Sequence, residues 1–280
     1  MRNGHAACSS KLEAHSSCLT PNRLQLTAPS RHGICQNEYM QAFLTAEWKD
    51  LLFVNYEVAP EVLQPYLPQG VELDLFNGKC LVSLVGFMFL KTKLRGIGFP
   101  FYRNFEEFNL RFYVLRREGN SYKRGVVFVK EIVPRRMITW VAYSLYGERY
   151  FYHPMKHTIS ETKEGLDVSY SFKLNGKWNG INASADAVKK PPITGTEEEF
   201  ITEHYWGYTK IKNGATSEYQ VHHPRWNLQR VNSHQVDIDT DALYGSQWSH
   251  YLRAEPTSVF LADGSPVTIF TRNIITQHNG

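Results

Sequence analysis

The stretch NFEEFNLRFYV at residues 104–114 alternates between polar and apolar side chains. Its apolar positions are Phe108, Leu110, Phe112 and Val114. The polar positions between them are Glu107, Asn109, Arg111 and Tyr113. Because successive side chains of a β-strand point to opposite faces, this pattern predicts a strand with one apolar and one polar face. The polar face points either to water or into an enclosed cavity, and only the second arrangement makes it a recognition surface.

Other segments carry comparable strand and turn signals. The apolar runs LLFVNYEV and CLVSLVGFMFL predict buried strands, and Asn77-Gly78 between VELDLF and KCLVSLVGFMFL predicts a hairpin. Short helices are predicted for APEVLQPYLP and after a capping Thr196 in TGTEEEFITEHYW. MITWVAYSLYG fits the periods of a helix and of a strand about equally well, and we assign it as a helix. Further strands are expected up to TSVFLADGSPVTIFT near the C-terminus. No internal repeat or linker follows Met40, so the pattern favours one β-rich α+β domain.

Residues 1–39 differ in character from the rest of the chain. They are rich in Ser, His, Asn and Cys and show neither helical nor strand periodicity. We therefore expect residues 1–39 to be a disordered tail or a mis-assigned start, and residues 40–280 to form a single domain. Only Cys80 lies in that domain, which indicates a reducing compartment and predicts a cytoplasmic protein.

Charge and hydropathy argue against several classes of partner. The net charge of +4 is mild and scattered, whereas a nucleic-acid binder concentrates Lys and Arg on one face. The longest apolar run, residues 80–90, is too short to span a bilayer, and no signal peptide is visible. We therefore predict no nucleic-acid and no membrane partner. The sequence does not indicate an oligomeric state.

Other chemical constellations give weaker signals. His204, His222 and His223 lack HxH or HExxH spacing, so no metal site is predicted. Lys130 and Lys156 are candidates for imine chemistry, although lysines with exposed heads are far more common. Cys80 lies in an apolar run, where a thiol is inert. RGIGFP is only a weak glycine cluster, and no nucleotide-binding motif occurs, so no cofactor is predicted.

Several segments together resemble one protein family. The segments are APEVLQPYLPQGVELDLFNGKCLVSLVGF, FEEFNLRFYV, GVVFV, EEFITEHYWGYT and VHHPRWNLQ. In order and spacing they resemble the DUF2071 (YqjF-like) family over residues 40–272, most specifically at Glu107–Val114 and Phe200–Tyr205. That family brings no assigned activity, but its fold is similar to that of acetoacetate decarboxylase. The resemblance implies a β-barrel or curved antiparallel sheets with a few flanking helices, and an interior cavity into which the polar face points.

The lysine chemistry of acetoacetate decarboxylase is not expected to carry over. The decarboxylase motif has a glutamate, then Gly-Phe-Pro, then two adjacent lysines, of which the first is the nucleophile. In ERYFYHPMKH, alignment on Pro154 puts Met155 at the first lysine and Lys156 at the second. A thioether cannot form an imine, and without the lysine pair one cation no longer lowers the pKa of the other.

The first hypothesis is that the cavity binds a small polar or anionic organic molecule, such as a carboxylate. Arg111 would clamp the carboxylate, with Asn109 and Tyr113 as orienting donors. Glu107 would fix the surroundings of Arg111 or act as a general acid or base. Further wall candidates are Glu203, Tyr205, His222 or His223, and Trp226.

Two alternatives stay open. One is a lyase or hydrolase that acts on a keto or enol acid with Glu107 or Lys156 as the catalytic group. The other is a structural barrel without a ligand, in which the polar face only forms an internal ion network.

Overall fold

Strands dominate the structure, as the alternating sequence predicts. The computed structural model describes residues 41–135, 150–211 and 214–275, which all belong to the unit Met40–Gly280. The strands of these residues are β1 (Ala42–Val58), β2 (Glu72–Leu73), β3 (Cys80–Leu94), β4 (Phe105–Glu118), β5 (Ser121–Val133), β6 (Tyr150–Tyr152), β7 (Met155–Glu161), β8 (Gly165–Leu174), β9 (Lys177–Lys190), β10 (Trp206–Lys210), β11 (Thr216–His222), β12 (Leu228–Asp237), β13 (Ser258–Phe270) and β14 (Asn273–Ile275). The helices are α1 (Glu197–Thr202), α2 (Thr240–Tyr244) and α3 (Ser249–Leu252), with 3-10 turns at Pro60–Val62, Gln64–Tyr66 and Ser246–Trp248.

The order of strand pairing closes part of the sheet into a ring. The pairs β1–β13, β1–β3, β3–β4, β4–β5 and β10–β11 are antiparallel. β10 joins β5 in parallel at Trp206 and Gly125, and β11 returns to β13 where Val221 pairs with Ile269. The ring therefore consists of β1, β3, β4, β5, β10, β11 and β13. From β13 the sheet continues through β12, β9, β8 and β7.

The two faces of β4 lie in different surroundings. Its apolar residues Phe108, Leu110, Phe112 and Val114 belong to an outer core that also contains Tyr244 and Trp248 of the helical segment. Phe108 packs against Phe172 of β8 with ring centroids 5.0 Å apart, so the extension of the sheet covers this side. A second apolar core lies on the opposite side of β4 and includes Phe53, Phe87 and Trp226. β3 is buried from Cys80 to Phe89 because both of its faces are covered.

The helix α1 begins where the sequence predicts. The Thr196 Oγ1 accepts a hydrogen bond from the Glu199 N–H at 3.4 Å, and three glutamates occupy the first turn, near the positive end of the helix dipole. Its buried residues are Phe200, Ile201 and Thr202. Phe200 and Ile201 belong to the second apolar core, on the same side of β4 as Phe53, Phe87 and Trp226. The cap therefore fixes a helix whose buried end lies against the ring.

The segment before β3 differs from the prediction. Asn77 and Gly78 have φ of 50° and 81°, as a tight hairpin turn requires, and Phe76 bridges Lys79. The prediction that VELDLF and KCLVSLVGFMFL pair with each other as a hairpin was wrong. β2 pairs with β4, and β3 pairs with β1 and β4. APEVLQPYLP forms two 3-10 turns instead of one α-helix. The predicted helix MITWVAYSLYG lies outside the described residues.

The expected class, a β-rich α+β fold of curved sheets with a few flanking helices, is confirmed. Within the described ranges, no helix has the length and apolar character needed to cross a membrane. The cytoplasmic location stays a prediction.

Candidate functional site

A cavity of about 120 Å³ lies inside the ring of strands. Each ring strand contributes to its wall, for example Trp48 from β1, Phe87 from β3 and Tyr219 from β11. Much of the wall is aromatic, with Trp48, Phe87, Phe89, Phe105, Phe128, Trp206, Tyr219 and Trp226. Its polar side chains are Glu107, Asn109, Arg111, Glu131, Tyr150, Thr202, His204 and His223. This combination of aromatic surface and polar groups that converge on one cavity is typical of small-molecule sites.

Three of the four residues on the predicted polar face of β4 line this cavity. Glu107, Asn109 and Arg111 all line it and are 2%, 1% and 8% exposed. The Asn109 Nδ2 donates to the Glu107 Oε1 at 2.9 Å, and the Tyr150 hydroxyl donates to the Glu107 Oε2 at 3.2 Å. The Asn109 Oδ1 accepts no hydrogen bond within the described part of the chain. The three side chains therefore form a polar row along one strand of the cavity wall.

Arg111 is a buried cation without a carboxylate partner among the described residues. No carboxylate of residues 41–135, 150–211 or 214–275 forms an ion pair with it, and its Nε has no hydrogen-bond acceptor there. The Cζ lies 4.9 Å from the ring centroid of Phe53 and 5.8 Å from that of Tyr113. Such cation–π contacts offset only part of the cost of burying a charge. The guanidinium is therefore available to an anion in the cavity.

Tyr113 lies behind the cavity wall and does not line it. Its hydroxyl is 2.5 Å from the Ser83 Oγ, which donates to the Asn55 Oδ1 at 2.6 Å. Its ring contacts those of Phe200 and His204 at centroid distances of 5.4 and 4.7 Å. Burial raises the pKa of Tyr113 despite the nearby cation of Arg111 and the hydrogen bond with Ser83. This residue supports the wall from outside and has no direct access to a ligand.

His204 lines the cavity and is held by a second buried network. Its Nε2 lies 3.1 Å from the Asp74 Oδ2, which also accepts a hydrogen bond from the Arg124 Nε at 2.6 Å. Burial lowers the pKa of His204 to about 4, and the cations of Arg124 and Arg111 add to this effect, while Asp74 opposes it. A neutral imidazole that donates from Nε2 keeps Nδ1 as an acceptor, and no described residue donates to Nδ1.

His223 lines the cavity, whereas its neighbour His222 is exposed at the end of β11. His222 is the last residue of β11 and His223 follows it, so the two adjacent histidines lie in different surroundings. The His223 ring stacks on Trp226 at 4.2 Å with an angle of 15°, and its Nδ1 lies 2.9 Å from the Pro224 carbonyl oxygen. Burial lowers the pKa of His223 to about 4, against the hydrogen bond to Pro224. Trp226 also lines the cavity.

Glu203 and Tyr205 lie next to the site without lining its wall. The Tyr205 hydroxyl donates to the Glu203 Oε2 at 2.7 Å, and the Glu203 Oε1 lies 3.4 Å from the Arg225 Nε. The Tyr205 ring contacts His223 at a centroid distance of 4.7 Å. Tyr205, which is hydrogen-bonded to Glu203, therefore packs against a wall residue, His223.

Neither candidate lysine belongs to the cavity. Lys156 is exposed on β7, with its Nζ 4.3 Å from the centroid of the Trp178 ring. Lys130 points to the outer side of β5, where its Nζ donates to the Leu243 carbonyl oxygen and lies 4.7 Å from the Phe151 ring centroid. Burial lowers the pKa of Lys130. No lysine of the described residues lines the cavity, so they give no support to imine chemistry there.

Several wall residues escaped the sequence analysis. Glu131 is 1% exposed and pairs with Asn109 across β4 and β5, so the alternation in GVVFVKEIV could have revealed it next to the outward-pointing Lys130. Thr202 and Trp48 come from distant segments and carry no comparable local signal. Within the described residues, no three His, Cys, Asp or Glu side chains are grouped so that they could hold a metal ion.

The comparisons with known proteins agree on the family and the fold. Residues 45–266 match the DUF2071 family, described as an uncharacterized conserved protein. The uncharacterized protein YqjF of Bacillus subtilis (strain 168) is 30% identical over 203 residues, which is 70% of this chain and 79% of YqjF.

Two solved structures share the fold at low sequence identity. The enduracididine biosynthesis enzyme MppR, complexed with pyruvate, has a TM-score of 0.60 and 8% identity, covering 87% of this chain and 95% of MppR. Acetoacetate decarboxylase of Legionella pneumophila has a TM-score of 0.57 and 12% identity, covering 91% of this chain and 100% of the decarboxylase. The fold is thus acetoacetate-decarboxylase-like, and the chain belongs to the DUF2071 family.

Proposed function

We propose that the ring cavity binds a small organic carboxylate, with Arg111 as the anion clamp. The observation that carries this proposal is the buried guanidinium, which lines the cavity and has no carboxylate partner in the described part of the chain. A guanidinium presents parallel N–H donors that match the two oxygens of a carboxylate. An anionic ligand would thus supply the ion pair that no described carboxylate makes with Arg111.

The size and the lining of the cavity support a ligand with a small apolar body. An apolar cavity of about 150 Å³ accommodates benzene, so a space of about 120 Å³ suits a ligand of similar or slightly smaller size. Trp48, Phe87 and Phe89 offer ring faces and edges to such a body. The neutral imidazole of His204 and the amide oxygen of Asn109 offer acceptors for a hydroxyl group of the ligand. These features favour short keto acids, hydroxy acids and small aromatic acids.

Binding is tested by comparing each acid with its uncharged amide. We expect pyruvate, acetoacetate or benzoate to raise the melting temperature and to give a measurable Kd by calorimetry, while the matching amides give neither. Arg111→Ala should weaken binding by about 10- to 100-fold, since a charge-assisted hydrogen bond contributes about 1.5–3 kcal/mol. Arg253→Ala removes an exposed arginine that pairs with Asp241 and is the matched control. Equal affinity of acids in wild type and Arg111→Ala would refute the clamp.

Acid–base catalysis on the bound acid is the second candidate. Glu107 and Glu131 support it, because both are almost fully buried and line the same cavity. A buried carboxyl group can serve as a general acid or base. If Glu107 acts as the acid or base, Glu107→Gln should lower kcat for turnover of a keto acid, which NMR follows, while the Kd of that acid changes little. If wild type turns over none of the acids that it binds, this candidate fails and the binding proposal stands.

A further inference from the structure

The β3–β4 connection, residues 95–104, exposes an apolar tip that the proposed function does not use. Ile97, Phe99 and Phe101 are 61%, 42% and 86% exposed, three large apolar side chains within five residues. Isolated exposed apolar residues are common in proteins, but a group of them indicates an interaction site. The RGIGFP glycine cluster of the sequence forms this tip.

Hydrogen bonds hold the connection in a defined shape. Leu94 and Ile97 exchange two backbone hydrogen bonds of 2.9 Å across the Arg95-Gly96 turn. The Thr92 N–H donates to the Arg103 carbonyl at 2.9 Å, and the Arg95 N–H donates to the Phe43 carbonyl at 2.8 Å. These backbone hydrogen bonds therefore fix the base of the loop that carries the apolar tip.

Phe101 is strained in this arrangement. It has φ of 67°, a left-handed conformation that bulky side chains rarely adopt, and yet its ring is 86% exposed. Because the ring is so exposed, its contacts with the described residues do not offset the energetic cost of this backbone conformation. Strain of this kind concentrates at functional positions.

The charge around the tip is positive. Residues 91–104 contain Lys91, Lys93, Arg95 and Arg103 and no acidic residue. Lys91 pairs with Glu47 at 2.7 Å, whereas no described carboxylate forms an ion pair with the other three. An apolar tip flanked by cations matches the interface of an anionic bilayer, where aromatic rings enter the headgroup region and cations meet lipid phosphates and carboxylates.

We propose that this tip, residues 95–104 with Lys93, docks the protein on the surface of membranes that contain anionic lipids. The earlier prediction of no membrane partner rested on the lack of a spanning segment, and docking on a surface needs none. A second copy of the chain is a poorer occupant. In a two-fold dimer the same patch would face itself, and its cations would repel each other.

Flotation of the full chain with vesicles tests the proposal. We expect binding to phosphatidylcholine vesicles that contain about 30% phosphatidylserine, weaker binding to pure phosphatidylcholine, and release by salt. Phe99→Ser with Phe101→Ser should reduce partitioning at least about tenfold, because two exposed rings no longer enter the interface. Lys93→Gln with Arg103→Gln should reduce it by about fivefold per cation. Ile193→Ser, which removes an isolated apolar side chain that is 75% exposed, should bind like wild type.

Three results would overturn the docking proposal. They are no binding of wild type to anionic vesicles, equal binding to both vesicle types, or undiminished binding of the double serine variant at an unchanged melting temperature. A concentration-dependent dimer that the serine variant abolishes, without vesicle binding, would assign the tip to self-association.

Discussion

A substitution of Arg111 distinguishes a ligand site from an internal ion network (a structural brace), because the two roles predict opposite changes in stability. In a brace, the guanidinium is part of a satisfied network, and its removal leaves a buried partner without its charge. In a ligand site without ligand, the buried cation is a liability that the rings of Phe53 and Tyr113 only partly offset. The lack of a described carboxylate partner favours the second role.

We therefore expect Arg111→Met to raise the free energy of unfolding without ligand by about 1 kcal/mol, because an apolar side chain replaces a buried charge that no described carboxylate pairs. The same variant should no longer bind carboxylates. Urea unfolding followed by intrinsic fluorescence gives the first quantity, and calorimetry gives the second. A loss of 3 kcal/mol or more, of the order expected for breaking a buried pair, would instead identify the polar face as a structural network.

Much of the polar row follows from local periodicity, but the rest of the site does not. The alternation of β4 places Glu107, Asn109 and Arg111 on one face, and at the end of β11 the adjacent His222 and His223 lie in different surroundings. Local pattern could not exclude Tyr113, because the row passes from the cavity wall into the core at that residue.

The remaining wall depends on which distant strands meet. Thr202 and His204 reach the cavity because α1 ends against the ring. The pairing that closes the ring, β11 with β13, joins segments separated by some 50 residues, and short-range sequence signals do not encode it.

At the scale of elements, the parallel junction between β5 and β10 depends on a glycine. A Cβ built on Gly125 would lie 2.5 Å from the Trp206 carbonyl oxygen, and backbone at that distance must shift to accept it. We expect Gly125→Ala to destabilise the protein by about 1–3 kcal/mol, the range for overpacking of a close contact. Gly98→Ala is the control, since its nearest atom is the Arg103 side chain at 3.4 Å. Comparable urea midpoints for the two variants would show that the junction is not tightly packed.

At the scale of the whole molecule, the two buried histidines tie stability to pH. Burial is the main reason why the pKa values of His204 and His223 lie at about 4 in the folded protein, against an ordinary value of 6.5. As the pH falls below 6.5, the unfolded chain takes up protons on both imidazoles, whereas the folded protein does so only near pH 4. Because the unfolded state binds more protons in this window, the free energy of unfolding must decrease as the pH falls from 6.5 to 4.

The loss should reach up to roughly 3 kcal/mol per histidine at pH 4, and denaturant unfolding at intervals of pH measures it. His204→Asn and His223→Asn should each flatten the decline, while His222→Asn removes an exposed imidazole at the end of β11 and should keep the wild-type slope. The Asp74 carboxylate affects the free energy of unfolding only at pH values below the range from 6.5 to 4. Burial raises its pKa, but the hydrogen bonds from His204 and Arg124 outweigh that effect, so its pKa falls below 3.8 and its stabilisation is lost only in stronger acid. An unchanged slope in both cavity variants would mean that water or a proton reaches these imidazoles in the folded state, and that the cavity is more open than its aromatic wall implies.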